Sequence, residues 1–232
     1  MNLETQNIRA FREAGVLRAL DVQLARALGR IAQVNDPLVL LGAAAASRAQ
    51  GAGHICLDLK DFRNQVRDEA VDAQDVDWPN WELWAERLKD CTALVRSPND
   101  AHRTPLILEE NYLYLERYWG YQSRLAEEVI SRLYGPPQPI DEAWLTHTLE
   151  RLFPPGPDAK ALQSKAARMA VKSRFAIVTG GPGTGKTTTI KRLMALLIED
   201  ARRRGADDPR FTLMAPTGKA STRMKESIQA EE

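Results

Sequence analysis

Glycine and a few polar residues carry the clearest chemistry in this chain. Gly180-Gly181-Pro182-Gly183-Thr184-Gly185-Lys186-Thr187 fits G-x-x-x-x-G-K-[ST] at every fixed position. That spacing suits a polyphosphate tail, which needs many hydrogen-bond donors at close range. Backbone N–H groups supply them where no side chain blocks the approach, hence Gly180, Gly181, Gly183 and Gly185. A helix starting at the end of the loop adds the positive end of its dipole. Lys186 reaches the β- and γ-phosphates as a point charge, and the Thr187 hydroxyl can ligate Mg²⁺.

The flanking segments supply the context that this loop requires. Residues 175–179 (FAIVT) read as a buried strand leading into it. Residues 188–203 read as an amphipathic helix leaving it. Asp158 can cap a helix over 159–172, ahead of that strand. Residues 205–210 read as a turn, 211–215 (FTLMA) as a second strand, and Pro216-Thr217-Gly218-Lys219 as a loop at its end. Ligands of open α/β sheets bind at the carboxyl ends of strands. Thr217 and Lys219 are therefore expected on the same rim as Lys186.

The first part of the chain reads as helical. Asp21 can cap a helix over 22–32, and Asp36-Pro37 opens another that stops at Gly51. The small residues from Gly42 to Ala46 suit close helix packing. Residues 54–59 (HICLDL) fit either an edge strand or an extended loop, and 60–77 read as exposed helix or loop. A helix follows Asn80, with Trp81, Trp84 and Leu88 on one face. Trp78, Trp81 and Trp84 could stack bases, but no basic residues interleave them, and the reading preferred is packing. Residues 105–108 and 112–115 read as a hairpin, 118–134 as a helix, and Asp141 caps one more, to about Phe153. Proline-rich joints at 135–139 and 154–157 flank that helix and mark the best candidate domain boundary.

The chain of 232 residues is 44% hydrophobic and 27% charged, enough for a sizeable core. Its net charge of +1 excludes a global polycation, so any nucleic-acid surface must be local. Cys56 and Cys91 lack C-x-x-C spacing and read as free thiols. His54, His102 and His147 show no ligand spacing. The N-terminus has no apolar core of a signal peptide, and the apolar run 37–46 is too short for a bilayer span. These features point to a cytoplasmic protein without a membrane partner.

GGPGTGKTTT followed by APTGKAS resembles motifs I and Ia of superfamily 1 helicases. Upstream, LRALDVQLARAL, GHICLDL, PLILEENYLYLERYW and the LFP after Arg151 resemble the N-terminal domain of the RecD family, the alpha subunit of exodeoxyribonuclease V. The resemblance covers nearly the whole chain. It implies an α-rich N-terminal domain with a small β-hairpin over 1–155, for partner docking, and the first, incomplete part of a RecA-like α/β P-loop domain over 156–232. It further implies an ATP-driven motor moving 5′ to 3′ on single-stranded DNA, serving double-strand break repair and recombination beside RecB- and RecC-type subunits. ATP and Mg²⁺ are its cofactors. By the same resemblance Gln163 reads adenine and the loop residues, Pro182 and Thr184 included, hold the nucleotide together with Thr188. Lys186 and Thr187 serve catalysis, with Thr187 on the metal, and Pro216, Thr217 and Lys219 touch DNA.

Such a motor also needs a strand ending in Asp-Glu and an arginine at the transition state. Glu109-Glu110 lies before the loop, in the hairpin, and Glu199-Asp200 lies at the far end of the helix behind it. Neither suits the role. The chain reads as the front portion of a RecD. A second reading is a partner-binding module with residual nucleotide binding, and a third is an unrelated P-loop kinase.

Overall fold

The computed structural model describes residues 3–67, 76–135, 139–154 and 158–229. Contacts divide the chain into two units, Met1–Ala126 and Glu127–Glu232.

Small residues organise the first unit. Helix α3 (Pro37–Gly51) is capped by Asp36, whose carboxylate accepts from the N–H groups of Leu38 (2.9 Å) and Val39 (3.3 Å). Residues 41–49 of α3 are all buried. A Cβ on Gly42 would lie 2.9 Å from Leu88 Cδ2 and 3.2 Å from Leu113 Cδ2, so those side chains rest on bare backbone. Helices α1 (Leu3–Glu13), α2 (Ala19–Ala32) and α5 (Trp81–Asp90) pack around α3, as do strands β1 (Leu57–Asp58) and β4 (Tyr112–Leu115). Helix α4 (Phe62–Arg67) contributes Phe62 and Val66 to the same core.

The start of α2 differs from the expectation. Arg18, not Asp21, holds the cap position, and Asp21 lies inside the first turn. An acid there reaches back to the cap residue's own N–H, as in a capping box. Asp21 accepts from Arg18 N (2.9 Å), Arg18 Nε (3.0 Å), Arg18 Nη2 (2.7 Å) and Ser47 Oγ (2.7 Å), and is fully buried. Burial alone pushes its carboxyl pKa up. The hydrogen bonds from Arg18 and Ser47 outweigh burial and leave it below the usual carboxylate value.

Strands β3 (Leu106–Glu109) and β4 form the expected hairpin, with Leu106 opposite Leu115 and Glu109 opposite Tyr112. Glu110 turns the chain at φ 54°. β1 adds antiparallel to β4 and resolves the ambiguous stretch as a two-residue edge strand. A strand not anticipated, β2 (Val95–Arg96), adds parallel to β3, giving the order β1-β4-β3-β2. Two residues are too few to show a period.

The tryptophans pack. Trp84 is buried, and its indole donates to Leu38 O at 2.8 Å. Trp78 meets Phe11 and Phe62 edge-on, with centroids 5.1 and 5.4 Å apart, and Trp81 packs on the same core. Helix α6 (Glu116–Leu133) continues from β4 and runs across the unit division. Residues 68–75, within the stretch expected to be exposed helix or loop, lie outside the described residues.

The second unit is built on α7 (Glu142–Leu152), α8 (Asp158–Lys172), α9 (Lys186–Arg203) and α10 (Gly218–Gln229). Asp141 caps α7 as expected, accepting from Ala143 N (3.0 Å) and Trp144 N (3.1 Å). Leu145, Leu149, Phe153, Ala167, Val171 and Leu196 form a core among α7, α8 and α9. This packing keeps α7 with the second unit. Residues 136–138 and 155–157 of the proline-rich joints lie outside the described residues.

Two expected strands do not form. Residues 175–179 and 211–215 join no ladder among the described residues. A run of β-formers becomes a strand only where a second segment satisfies its N–H and C=O groups. Residues 175–179 are not buried either: Ile177 is 75% exposed. Residues 211–215 keep the period of a strand, alternating half-buried and exposed. Cys56 and Cys91 are free thiols. Among the described residues no cluster of acids, histidines and cysteines could hold a metal, and no helix is long and apolar enough to cross a membrane.

Asp21→Ala is expected to cost about 1.5–3 kcal/mol, the range for hydrogen bonds to a charged group, read as a lower urea midpoint by tryptophan fluorescence. The carboxyl titrates lower in the folded chain than its unfolded value of about 3.9. Its contribution is therefore complete above that pH and is lost as pH falls through the folded value. The gap between wild type and variant should begin to narrow below about pH 3.9 and go on narrowing as pH falls through the folded value. Gly42→Val should destabilise by about 1–3 kcal/mol through overpacking, whereas an exposed α2 substitution such as Gln23→Ala should leave the midpoint nearly unchanged.

Candidate nucleotide-binding site

The glycine loop closes on itself through hydrogen bonds to its own carbonyls. Lys186 Nζ donates to Gly180 O (2.6 Å) and Gly181 O (2.7 Å). Thr184 Oγ1 donates to Gly181 O (2.9 Å). Gly183 and Gly185 have φ of 75° and 78°, a region that side chains disfavour. Gly185 ends the loop at the N-cap of α9, with Lys186 as the first helical residue.

α9 holds its first turn to the loop through Thr189. Its N–H and its hydroxyl both donate to Gly185 O, at 2.8 and 2.9 Å, and its side chain is buried. Further along, Leu193, Leu196 and Leu197 anchor α9 to α7 and α8, and the Arg192 guanidinium stacks over Phe153 at 5.2 Å.

Gln163, on α8, is brought to the loop. Its Nε2 donates to Thr184 O at 3.0 Å. A Cβ on Gly185 would lie 2.4 Å from that nitrogen, so the end of the Gln163 side chain would have to give way, and the positive φ of Gly185 is what favours glycine there. The glycine pattern marks Gly185; nothing in the sequence marks Thr184 O as the partner of Gln163.

Thr187 and Thr188 sit in the first turn of α9, Thr187 exposed and Thr188 half-buried. Gly181, Pro182 and Gly183 are exposed. The donor set suits a magnesium-bound polyphosphate: free-standing loop amides, one ammonium, a helix N-terminus and an exposed hydroxyl. Thr187 would hold the metal, which would neutralise phosphate charge.

Pro216 and Thr217 precede α10, a helix where only a loop was expected. Thr217 Oγ1 accepts from Ala220 N at 3.3 Å, and Ser221 N donates to Thr217 O at 3.0 Å, so Thr217 caps that helix. Lys219 lies in its first turn and is exposed. The signal missed was a threonine cap before a helix-compatible run, KASTRMKESIQ. At the other end of α9, Glu199 pairs with Arg151, and Asp200 with Arg203 and Arg204. Twelve residues of helix put Glu199 about 18 Å from Thr187.

The family model described as RecBCD enzyme subunit RecD, N-terminal domain, matches residues 13–114, and that of an AAA domain matches 163–232. The chain is 36% identical over 225 residues to the RecBCD enzyme subunit RecD of Mycobacterium tuberculosis, covering 97% of this chain and 36% of the relative. Residues 13–114 carry the match to the RecD N-terminal domain, and the likeness to RecD subunits runs over nearly the whole chain. The RecD of Mycolicibacterium smegmatis is 36% identical over 224 residues, covering 97% and 37%. That of Haemophilus influenzae is 33% identical over 153 residues, covering 64% and 22%. The chain thus spans little more than a third of the length of the two mycobacterial relatives and less than a quarter of the Haemophilus one. The fold agrees with these matches: a helix-rich region with a small sheet, then the start of an AAA-type P-loop domain.

Gly185→Ala should perturb the loop twice, through a positive φ costing about 1–2 kcal/mol and through contact with Gln163. Nucleotide affinity should fall at least tenfold, measured by calorimetry. Gly205→Ala, at φ 71° with open space around it, should share the backbone cost and leave affinity unchanged.

Proposed function

We propose that this chain is the nucleotide-binding front section of a RecD helicase subunit, an ATP-dependent motor moving 5′ to 3′ on single-stranded DNA. Its place is a cytoplasmic assembly with RecB- and RecC-type subunits that processes broken DNA ends. Residues 1–155 dock the partner subunits and 156–232 begin the ATPase. Gln163 reads the adenine edge, and Gly180, Gly181, Pro182, Gly183, Thr184 and Gly185 cradle the phosphates with Thr188. Lys186 and Thr187 serve the phosphates and Mg²⁺. Pro216, Thr217 and Lys219 meet the DNA backbone.

One observation carries this reading. A complete phosphate-loop signature adopts a helix-capping loop with its lysine folded over it and Gln163 alongside. Loop amides and a helix end bind anions through local structure, so they need no distant partner.

A second reading is a partner-binding module that retains nucleotide without turning it over. It is favoured by residues 175–179 and 211–215, which join no ladder among the described residues. The acids at the end of α9 are also committed to arginines, far from Thr187.

ATP titrated by calorimetry into the chain should bind weakly, and binding should be abolished by Lys186→Ala and reduced by Gln163→Ala. Equal affinity in all three proteins would remove the loop from the reading. Steady-state hydrolysis with single-stranded DNA should stay far below a motor's rate of about 1–100 s⁻¹. Lys186-dependent turnover at such a rate would eliminate the second reading.

A further inference from the structure

Away from the phosphate loop, α1 and α2 border a groove that the ATP chemistry does not use. One part, about 440 Å³, is lined by Ile8, Gln23, Arg26, Arg30, Val34 and Leu40. A neighbouring part, about 500 Å³, adds Arg9, Arg12 and Glu13, and Arg26 lines both. Gln23, Arg26 and Arg30 are spaced three and four residues apart, so they share one face of α2. Arg9 and Arg12 are three apart on α1.

The charge of this groove is not cancelled locally. Glu13 pairs with Arg9 at 2.8 Å. Among the described residues no carboxylate pairs with Arg12, Arg26 or Arg30, and all three are exposed. In a chain with 32 basic and 31 acidic residues, three uncompensated guanidiniums along one concavity form a local excess.

The lining selects among anions. Guanidinium forks match phosphate oxygens, and the Gln23 amide adds a neutral donor. The same lining includes the apolar side chains of Ile8, Val34 and Leu40. Guanidiniums can also stack on base faces, and the apolar residues can pack against sugar rings. From Val22 to Arg30 the groove follows α2 for about 12 Å, room for a short run of nucleotides.

We infer that this groove binds the sugar–phosphate backbone of single-stranded DNA. The site uses none of Pro216, Thr217 and Lys219, and it rests on the proposed function only for the choice of DNA as the nucleic acid. Its role is a second hold on the strand by the N-terminal unit.

The test is fluorescence anisotropy of a labelled oligothymidylate with the full chain over a range of salt concentrations. Arg26→Gln/Arg30→Gln should bind about tenfold more weakly, and its log–log salt slope should be shallower by about 1.4, at roughly 0.7 for each single-strand phosphate that is no longer neutralised. Arg63→Gln/Arg103→Gln removes the same charge from exposed positions elsewhere and should bind as wild type does. Circular dichroism and urea midpoints matching wild type exclude misfolding of the variants. Equal weakening by both pairs would overturn the inference in favour of diffuse charge. Weakening by Lys219→Ala but none by Arg26→Gln/Arg30→Gln would overturn the groove and leave the proposed function standing. Poly-glutamate competing as well as oligothymidylate would reassign the groove to an acidic peptide. Absence of any binding by wild type would count against this inference and the DNA contacts of the proposed function together.

Discussion

Residues 42–46 of α3 carry at most a methyl group, so the backbone of that helix comes within contact distance of its neighbours. The first unit depends on that close approach. Leu88 of α5 and Leu113 of β4 both rest against Gly42. The hairpin and the tryptophan-bearing helix are therefore held to a common surface, although Leu88 and Leu113 lie 25 residues apart in sequence. The other end of α3 is polar. Ser47 joins the buried Asp21 and its Arg18 partner, and Arg48 Nε donates to Val16 O at 2.9 Å. Apolar burial supplies most of the driving force for such a core, while the polar end ties α3 to the start of α2 and to the chain just before it.

The second unit meets a different requirement. A phosphate loop has to keep its amides pointing inward with no side chains to brace them. Here the bracing comes from helices. The loop is fastened to α9 by Thr189, to α8 by Gln163, and to itself by Thr184 and Lys186. Leu196 of α9 is buried against α7 and α8, with Leu193 and Leu197 half-buried beside it. Without a sheet ladder among the described residues, this helical backing accounts for how the loop can be shaped while none of residues 175–179 is buried.

What the sequence revealed follows the range of the interactions involved. Asp36, Asn80 and Asp141 announced their helices because a cap and its N–H partners lie within three residues of each other. The phosphate loop was legible because chemistry dictates its residue types one by one. Asp21 misled because a cap and a first-turn acid share the same local composition; Ser47, 26 residues away, explains why the acid is inside. Residues 175–179 and 211–215 have the composition of strands, but a ladder is a property of two segments and no single run contains it. The contact between Gln163 and Thr184 is of the same kind, set by how α8 packs and invisible in either stretch alone.

The lysine at the start of α9 has one more consequence. An ammonium group carries three protons. Gly180 O and Gly181 O take two of them, at 2.6 and 2.7 Å. The side chain has surrendered its rotational freedom to the loop before any anion arrives, and a single proton remains to be offered. Lys186 therefore behaves less like a mobile charge than like a fixed pointer with one direction. Arginine at this position would keep the charge and lose the aim, because its planar fork cannot bond two neighbouring carbonyls and still present one N–H along the remaining tetrahedral axis.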